Sequence, residues 1–372
     1  MNVLQRIPLV DLAAQQAEVN EEITAGIKEV FESTSFIGGR QVGQFEEAYA
    51  RMIGARHCVG VANGTDALEL ALRASGVTPG GEVILPANTF IATAEAVCRV
   101  GAHPVLVDVD PTYLLIDPQR IAEAVTDATQ AIIPVHLFGQ VAPVEAIQPV
   151  ADASGAVIVE DAAQAQGATR HGRYAGTWGA AAATSFYPGK NLGAAGDAGA
   201  VTTNSDAIAA QVRLLGAHGS SIKYQHDVIG MNSRLDTIQA VVLNAKLARL
   251  AEWNERRRVA AQYYSELLNG VAGVTLPATA DGNVDVWHLY VIRVTERDRV
   301  MQALSDVGIG VGVHYPVPVH RTPAFAHLGH ATGAFPVAES AASTMLSLPL
   351  YPHITPEQQR YVAHHVENAL QS

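Results

Sequence analysis

TSFYPGKNLGAAGDAGAV, residues Thr184 to Val201, decides how the rest of the chain is read. Ala180 to Phe186 is small and apolar and predicts a buried strand. Gly199 to Thr203 predicts a second short strand. The loop between them is rich in Pro and Gly and carries a single lysine, Lys190. A lone lysine between buried strands has little solvent to hold its charge, so desolvation lowers its pKa. A neutral amine is a nucleophile toward a carbonyl carbon. On the loop alone an ordinary exposed lysine is the better reading, and other parts of the chain reverse it.

Upstream of that stretch the pattern alternates. Strand-like runs at His57–Ala62, Glu82–Leu85, Pro104–Val109, Ala131–Val135 and Val157–Glu160 are separated by helical runs at Asp66–Ala74, Thr93–Val100, Pro118–Ala124 and Val144–Ala153. The strands are short, rich in Val and Ile, and lack strict alternation. That predicts a mostly parallel sheet covered on both faces, seven-stranded once the two strands around Lys190 are added. Ligands of such sheets bind beyond the carboxyl ends of the strands. Three of those ends carry suggestive residues: Asn63-Gly64-Thr65, Asn88-Thr89-Phe90 and Asp161-Ala162-Ala163-Gln164. A strand, a Gly-containing turn and a helix make an anion-binding arrangement, although Asn63 or Thr65 also suits a plain helix cap.

Helices are expected before the sheet at Val19–Ser33 and Gln44–Ile53. Beyond it one is expected at Ala207–Leu215, followed by a long one from about Thr237 to Leu268. Its basic run Arg256-Arg257-Arg258 reads as a solvated helix face. Past Pro277 strands are expected at Val286–Val294 and Ile309–His314, with helices at Thr295–Val307, Pro336–Met345 and Pro356–Ala369. The expectation is an α/β fold: a large domain over residues 1–245 and a smaller C-terminal α+β domain over 246–372, bridged by the helix at about 237–268.

The composition of the 372 residues, 48% hydrophobic and 16% charged, is ordinarily globular and suits two domains. The net charge of -12 argues against non-specific nucleic-acid binding. Two cysteines, Cys58 and Cys98, build neither a disulfide framework nor a zinc site alone. The N-terminal MNVLQRIPLVDLAAQQ has no apolar signal core, and no apolar run is long enough to span a bilayer. A soluble, cytoplasmic protein is expected, without nucleic-acid or membrane partners.

Four needs converge in this chain: an amine, an acid at the end of a buried strand, a phosphate cradle and an aromatic face. Together they are the needs of pyridoxal 5′-phosphate (PLP), which is held as a Schiff base and takes up electrons through a protonated ring nitrogen. Lys190 supplies the amine and Asp161 the acid, Gly64, Thr65 and Ser185 the cradle, and Phe90 the stacking face. Each has a plainer alternative: Asp161 a helix N-cap, Phe90 a core aromatic.

With these residues in place, the sequence resembles the sugar-nucleotide aminotransferases of the DegT/StrS group, PLP-dependent enzymes of fold type I. The resemblance covers nearly the whole chain and rests on PLVDL, FIGG, ANGTDAL, PANTFIATAEA, EDAAQAQGA, SFYPGKNLGAAGDAGA, GMNSRLDTIQA and VHYPVPVH. It implies that Lys190 holds the cofactor and later moves a proton, that Asp161 pairs with the ring nitrogen, that Gln164 sits near the ring hydroxyl and that Phe90 stacks. It places Gly64, Thr65 and Ser185 on the phosphate, together with Asn232 of a neighbouring subunit, which calls for a homodimer with shared active sites. Ala198 departs from the Gly that many relatives have there. The lysine sets the chain apart from the dehydratases of the group, which have His in its place. SFYPGKN with VHYPVPVH resembles the branch that aminates C3 of a keto-sugar nucleotide. That likeness makes Tyr187, Lys223, His314 and Tyr315 candidates for the substrate side, and L-glutamate the amino donor in deoxyamino-sugar biosynthesis. Strand-end packing suits His314 and Tyr315 equally well. For the glutamate carboxylate only Arg234 offers itself.

The rival readings are weaker. Gly308-Ile309-Gly310-Val311-Gly312 runs toward Pro316, not into a helix, and lacks the context of a dinucleotide fingerprint. His320, His327, His330, His353, His364 and His365 are scattered, without metal-ligand spacing. Amination at C4, a UDP-linked substrate, or a PLP-binding regulatory protein remain as alternatives.

Overall fold

The computed structural model describes residues 6–371. Met1 to Gln5, part of the stretch read as lacking a signal core, and Ser372 lie outside the described residues. The first helices are α1 (Leu12–Ser33) and α2 (Arg40–Ile53). The main sheet follows as β1 (His57–Val61), α3 (Gly64–Ala74), β2 (Glu82–Pro86), α4 (Ile91–Arg99), β3 (His103–Val107), α5 (Pro118–Ala124), β4 (Thr129–Ile132), α6 (Val144–Ser154), β5 (Val157–Asp161), β6 (Ala181–Ser185), β7 (Gly199–Thr203) and α7 (Asp206–Gly216). Its seven strands lie in the order β1-β7-β6-β5-β4-β2-β3. Among the described residues β7 alone runs against its neighbours; the other pairings are parallel.

Successive residues of the central strands feed opposite cores, as a sheet covered on both faces requires. Val83 and Leu85 of β2 join the cluster under α3, α4 and α7, while Ile84 joins the one with Ile121 and Ile147 of α5 and α6. Asp161 pairs with Ala183, Ser185 with Gly199, and Gly199 with Val61. These registers bring the ends of β1, β5 and β6 to one edge, and the loops that follow them open there.

An exposed hairpin, β8 (Ser220–Ile222) with β9 (Gln225–His226), leads to α8 (Thr237–Leu247) and α9 (Leu250–Leu268). The second core holds β10 (Val274–Thr275), β11 (Tyr290–Val294), α10 (Arg297–Asp306), β12 (Met345–Leu348) and α12 (Pro356–Gln371), while α11 (Pro336–Thr344) packs Ala338 into the main-sheet core. Tyr264, Tyr290, Leu304, Leu346 and Val362 fill the second core, and Ile7 from the other end of the chain completes it.

Several expectations change. The first helix starts at Leu12, where Asp11 caps Ala14 N–H at 3.0 Å, and Gly43 lies inside α2. The long helix bends at Ala248 and Arg249 into α8 and α9, with both residues still in the α region. The basic run is not a solvated face throughout. Arg257 is 1% exposed and donates to the carbonyls of Trp287 and Leu350. Residues 286–289 do not continue β11, because Val286 and Leu289 N–H groups turn to Gly139 and Phe138. Ile309–His314 forms only isolated bridges, to Ile7 and Ser347, in a run broken by Gly310 and Gly312. Met345 opens strand β12 instead of ending a helix.

Candidate active site

A cavity of about 630 Å³ opens at the strand-end edge. It is lined by Gly64, Thr65, Phe90, Asp161, Gln164, Ser185, Tyr187, Lys190 and Tyr315, all singled out in the sequence. Asn63, Thr89, Thr93, Glu95, Arg99 and Asp197 join them.

The floor is Asp161, 6% exposed. No helix follows it, so the helix-cap alternative fails. Its Oδ2 accepts from Thr93 Oγ1 at 2.8 Å and its Oδ1 from the Ala163 N–H at 3.2 Å. Thr93 Oγ1 is also 2.8 Å from Thr89 Oγ1. Thr93 was missed in the sequence; its place in the first turn of the helix that follows the Asn88-Thr89-Phe90 strand end was the available signal.

One wall is the start of α3. The Asn63 side chain accepts from Asp66 N–H at 2.8 Å, and the Asn63 carbonyl from Ala67 N–H at 3.0 Å. Gly64 and Thr65 are left with first-turn N–H groups that no helical carbonyl can reach, so the cap and the anion cradle coexist. Gly64 is required by close approach: a β-carbon there would stand 2.6 Å from Ser185 Cβ.

Lys190 sits on the loop after β6. Burial lowers its amine pKa to about 8, with Asp161 pulling the other way. The loop is pinned at Ala194, whose N–H reaches the Phe186 carbonyl at 2.8 Å, and at Gly193, whose carbonyl accepts from Lys246 Nζ at 2.8 Å. Ala198 is buried beside Phe186 in the core behind the loop, so the departure from Gly is absorbed by packing.

The roof comes from Gln164, Phe90 and Tyr315, the last packed against the main-sheet core. Gln164 Oε1 accepts from the Phe138 N–H at 2.6 Å, and its Nε2 donates to Tyr315 Oη at 3.0 Å. Phe90 is 51% exposed and its ring centroid lies 5.1 Å from that of Tyr315. Burial and nearby Asp161 push the Tyr315 hydroxyl pKa up, against the Gln164 hydrogen bond, so it stays a neutral phenol.

Four predicted residues, His314, Lys223, Asn232 and Arg234, are not in the lining. His314 turns its Nδ1 to Ser347 Oγ at 2.8 Å, and burial together with Lys190 lowers its pKa to about 4. Lys223 is exposed on the hairpin, its Nζ 5.1 Å from the centre of the Tyr224 ring. Asn232 is exposed beyond that hairpin, bridged to Ala217, and Arg234 is exposed beside it. Among the described residues no group of three His, Cys, Asp or Glu side chains could hold a metal ion.

An enclosed amine of lowered pKa, a carboxylate at the floor, free N–H groups at a helix start and aromatic rings at the mouth fit a phosphate-bearing aldehyde on a cationic ring. PLP is that group. Comparison with known proteins agrees. A "Pleiotropic regulatory protein" of Geobacillus stearothermophilus is 46% identical over 96% of both chains. The "dTDP-3-amino-3,4,6-trideoxy-alpha-D-glucose transaminase" of Streptomyces venezuelae is 45% identical over 94% of this chain and 92% of its own. The crystal structure of S. venezuelae DesV in complex with a ketimine intermediate superposes with a TM-score of 0.96 at 43% identity, covering 99% of each chain. The profile of the DegT/DnrJ/EryC1/StrS aminotransferase family matches residues 17–367. With Lys190 and Asp161 meeting at one strand-end cavity and the match running through both cores, the chain belongs to that family of PLP-dependent aminotransferases.

Proposed function

We propose that the protein transfers the amino group of L-glutamate to C3 of a nucleotide-linked 3-keto-6-deoxyhexose, dTDP-linked. 2-Oxoglutarate and the 3-amino sugar are the products. The observation that carries this reading is the Lys190 amine, desolvated to a pKa of about 8 at the wall of a cavity floored by Asp161. The relative named as a dTDP-3-amino-sugar transaminase supports the sugar and the carbon.

Bound PLP supplies the electron sink and carries the amine between the two substrates. Lys190 Nζ, uncharged in a fraction of molecules near neutral pH, holds the cofactor and then takes and returns the substrate proton on one face. Asp161, held by Thr93, would pair with the ring nitrogen. The Gly64 and Thr65 N–H groups and Ser185 hold the phosphate. Gln164, fixed by Phe138 and Tyr315, would meet the ring hydroxyl, and Phe90 would stack on the ring. Tyr187, exposed at the mouth and three residues before Lys190, and Tyr315 orient the sugar. Binding of the distant nucleotide outside the cavity then selects which carbon reacts.

The reading includes a homodimer. The hairpin region of Lys223 carries exposed Ile222, Tyr224 and Ile229, and lies outside its own cavity with Asn232. Such an apolar projection suits a neighbour's site, to which Asn232 would bring a phosphate ligand and Lys223 a cation. It also includes two domains, divided at residues 245 and 246, and a cytoplasmic location. No helix among the described residues is long and apolar enough to cross a membrane, and both cysteines are free.

The test offers the enzyme the 3-keto and 4-keto forms of dTDP-6-deoxyhexose separately, with L-glutamate, and locates the new C–N bond by NMR. Amination at C3 is expected. Amination only at C4 overturns the regiochemistry. A cofactor spectrum unmoved by glutamate, with neither sugar aminated, favours a regulatory protein, the role named for the Geobacillus relative.

A further inference from the structure

Behind Lys190 lies a buried polar network that no step above uses. Asn191 is 1% exposed. Its Nδ2 donates to Asn254 Oδ1 at 2.9 Å and to the Val286 carbonyl at 2.8 Å. Its Oδ1 lies 3.2 Å from His288 Nδ1. A carbonyl only accepts, so the Val286 contact fixes which end of the Asn191 amide is nitrogen. Both amide hydrogens are then spent, and His288 Nδ1 must carry the proton that meets Oδ1. His288 is buried and neutral: burial, then Lys190, Arg257 and His314, hold its pKa well below the usual value. Asn254, on α9, passes the chain on, its Nδ2 donating to the Gln166 carbonyl at 2.9 Å. Gln166 Nε2 in turn donates to the Ser185 carbonyl at 2.8 Å and the Ala163 carbonyl at 3.1 Å. The network thus ties the residue after Lys190 to α9, to the segment before β11, and to the backbone beside both Ser185 and Asp161.

The Asn191 and Asn254 amides and His288 Nδ1 are paired within this network, while Gln166 Oε1 has no partner, and any slip of the paired groups would strand a further buried polar group. The Lys190 loop has no helix or strand of its own to hold it in register. We propose that Asn191 is a positioning residue: its side-chain amide clamps the Lys190 loop against α9 and the His288 segment, and so holds the Lys190 amine in the dry place from which it reacts. This rests on the reading of Lys190 as the cofactor-holding lysine. The charged and titratable groups around that amine are Asp161 from β5, His288 before β11, and His314 and Tyr315 from the segment before α11, with Arg257 of α9 behind His288. Of these Asp161 favours the ammonium and burial opposes it. Loosening the clamp admits water and lets the charged form return.

The experiment uses the cofactor-free protein and needs no substrate. The amine is labelled with acetic anhydride across a pH series, and the Lys190 peptide is quantified by mass spectrometry, with circular dichroism and thermal midpoint recorded alongside. In the parent the labelling midpoint is expected near 8. Asn191→Ala should raise it by about one pH unit, a tenfold change in the uncharged fraction at fixed pH. Asn191→Asp, which turns oxygen toward the Asn254 and Val286 oxygens, should raise it at least as far. If both lose their native circular dichroism, Asn254→Ser, which loosens the clamp from α9, should still raise it by a smaller step. A natively folded variant of the three whose midpoint stays with the parent overturns the proposal. Because PLP is absent from the assay, failure of the cofactor reading cannot produce that result.

Discussion

Asp161→Asn keeps the shape of the cavity floor and removes its charge. In the parent, Thr93 donates to Oδ2 at 2.8 Å and the Ala163 N–H donates to Oδ1 at 3.2 Å. The asparagine oxygen can keep the Ala163 bond. Its amide nitrogen then faces Thr93, whose hydroxyl can turn to donate to Thr89, 2.8 Å away. No buried polar group is stranded, so the fold should lose on the order of 1 kcal/mol or less. The chemistry should lose more. A preorganised charge aimed at a cationic ring nitrogen contributes about 3 kcal/mol, or roughly a hundredfold in rate. The assay is the single-turnover half-reaction with L-glutamate, followed by cofactor absorbance, beside a thermal melt. A second readout needs no cofactor. Asp161 stabilises the Lys190 ammonium, so its neutralisation should lower the Lys190 labelling midpoint below about 8, opposite in sign to the effect expected at Asn191. A near-normal half-reaction rate in a folded variant would refute the reasoning and leave Asp161 as an anchor for its loop.

Lys190→Met removes an amine whose pKa falls from 10.5 to about 8 on folding. Below pH 8 the group is charged in both states and the burial penalty is full. Between about 8 and 10.5 the unfolded chain binds more protons, so parent stability rises with pH. The variant should abolish that rise and stabilise the cofactor-free protein at pH 7 by on the order of 3 kcal/mol, as read by urea unfolding. Borohydride reduction of the holoenzyme should label Lys190; a label on Lys223 or on Lys246, which donates to the Gly193 carbonyl, would sink the assignment. Burial pushes the Glu18 carboxyl up, but hydrogen bonds from His353, Trp253 and Arg256 outweigh it and hold it at about 2. A depressed carboxyl contributes stability above its unfolded value near 4.5 that is lost as pH falls toward 2. Glu18→Gln should therefore cost about 1 kcal/mol at pH 7 after solvent screening, and nothing near pH 2. Sedimentation should find an active dimer, and a catalytically active monomer would contradict the role given to Asn232.

The main sheet was legible because its strands are buried on both faces and announce themselves as short Val- and Ile-rich runs between helical ones. The meeting of Lys190 and Asp161 at one cavity was legible because ligands of such sheets gather beyond the strand ends, where the loops carrying both residues open. The buried amides behind them were not. Asn191, Asn254 and His288 are 63 and 97 residues from their partners, and each looks like a surface residue until the partner is known. Arg257 was misjudged for the same reason: its neighbours Arg256 and Arg258 do pair with exposed carboxylates, and only the carbonyls of distant loops reveal that it points inward. Strand β12 escaped because the alanine- and serine-rich run before it reads as helix up to its first residue, and only pairing with β11 decides otherwise.

The second core is closed by the chain's own beginning. Ile7 N–H meets the Gly308 carbonyl at 3.0 Å, Gly310 N–H meets the Ile7 carbonyl at 2.7 Å, and Leu350 N–H reaches Leu9 at 3.3 Å. During synthesis this short apolar segment therefore has no native partner until some three hundred residues have followed it. The main sheet can close in the meantime, since all its strands lie before residue 204. The opening residues must wait beside it, exposed, for a surface made last. Closing a loop of about three hundred residues costs roughly 8 to 9 RT, and each further doubling of its length adds only about 1 RT. The delay is what matters: it gives a chaperone something to hold.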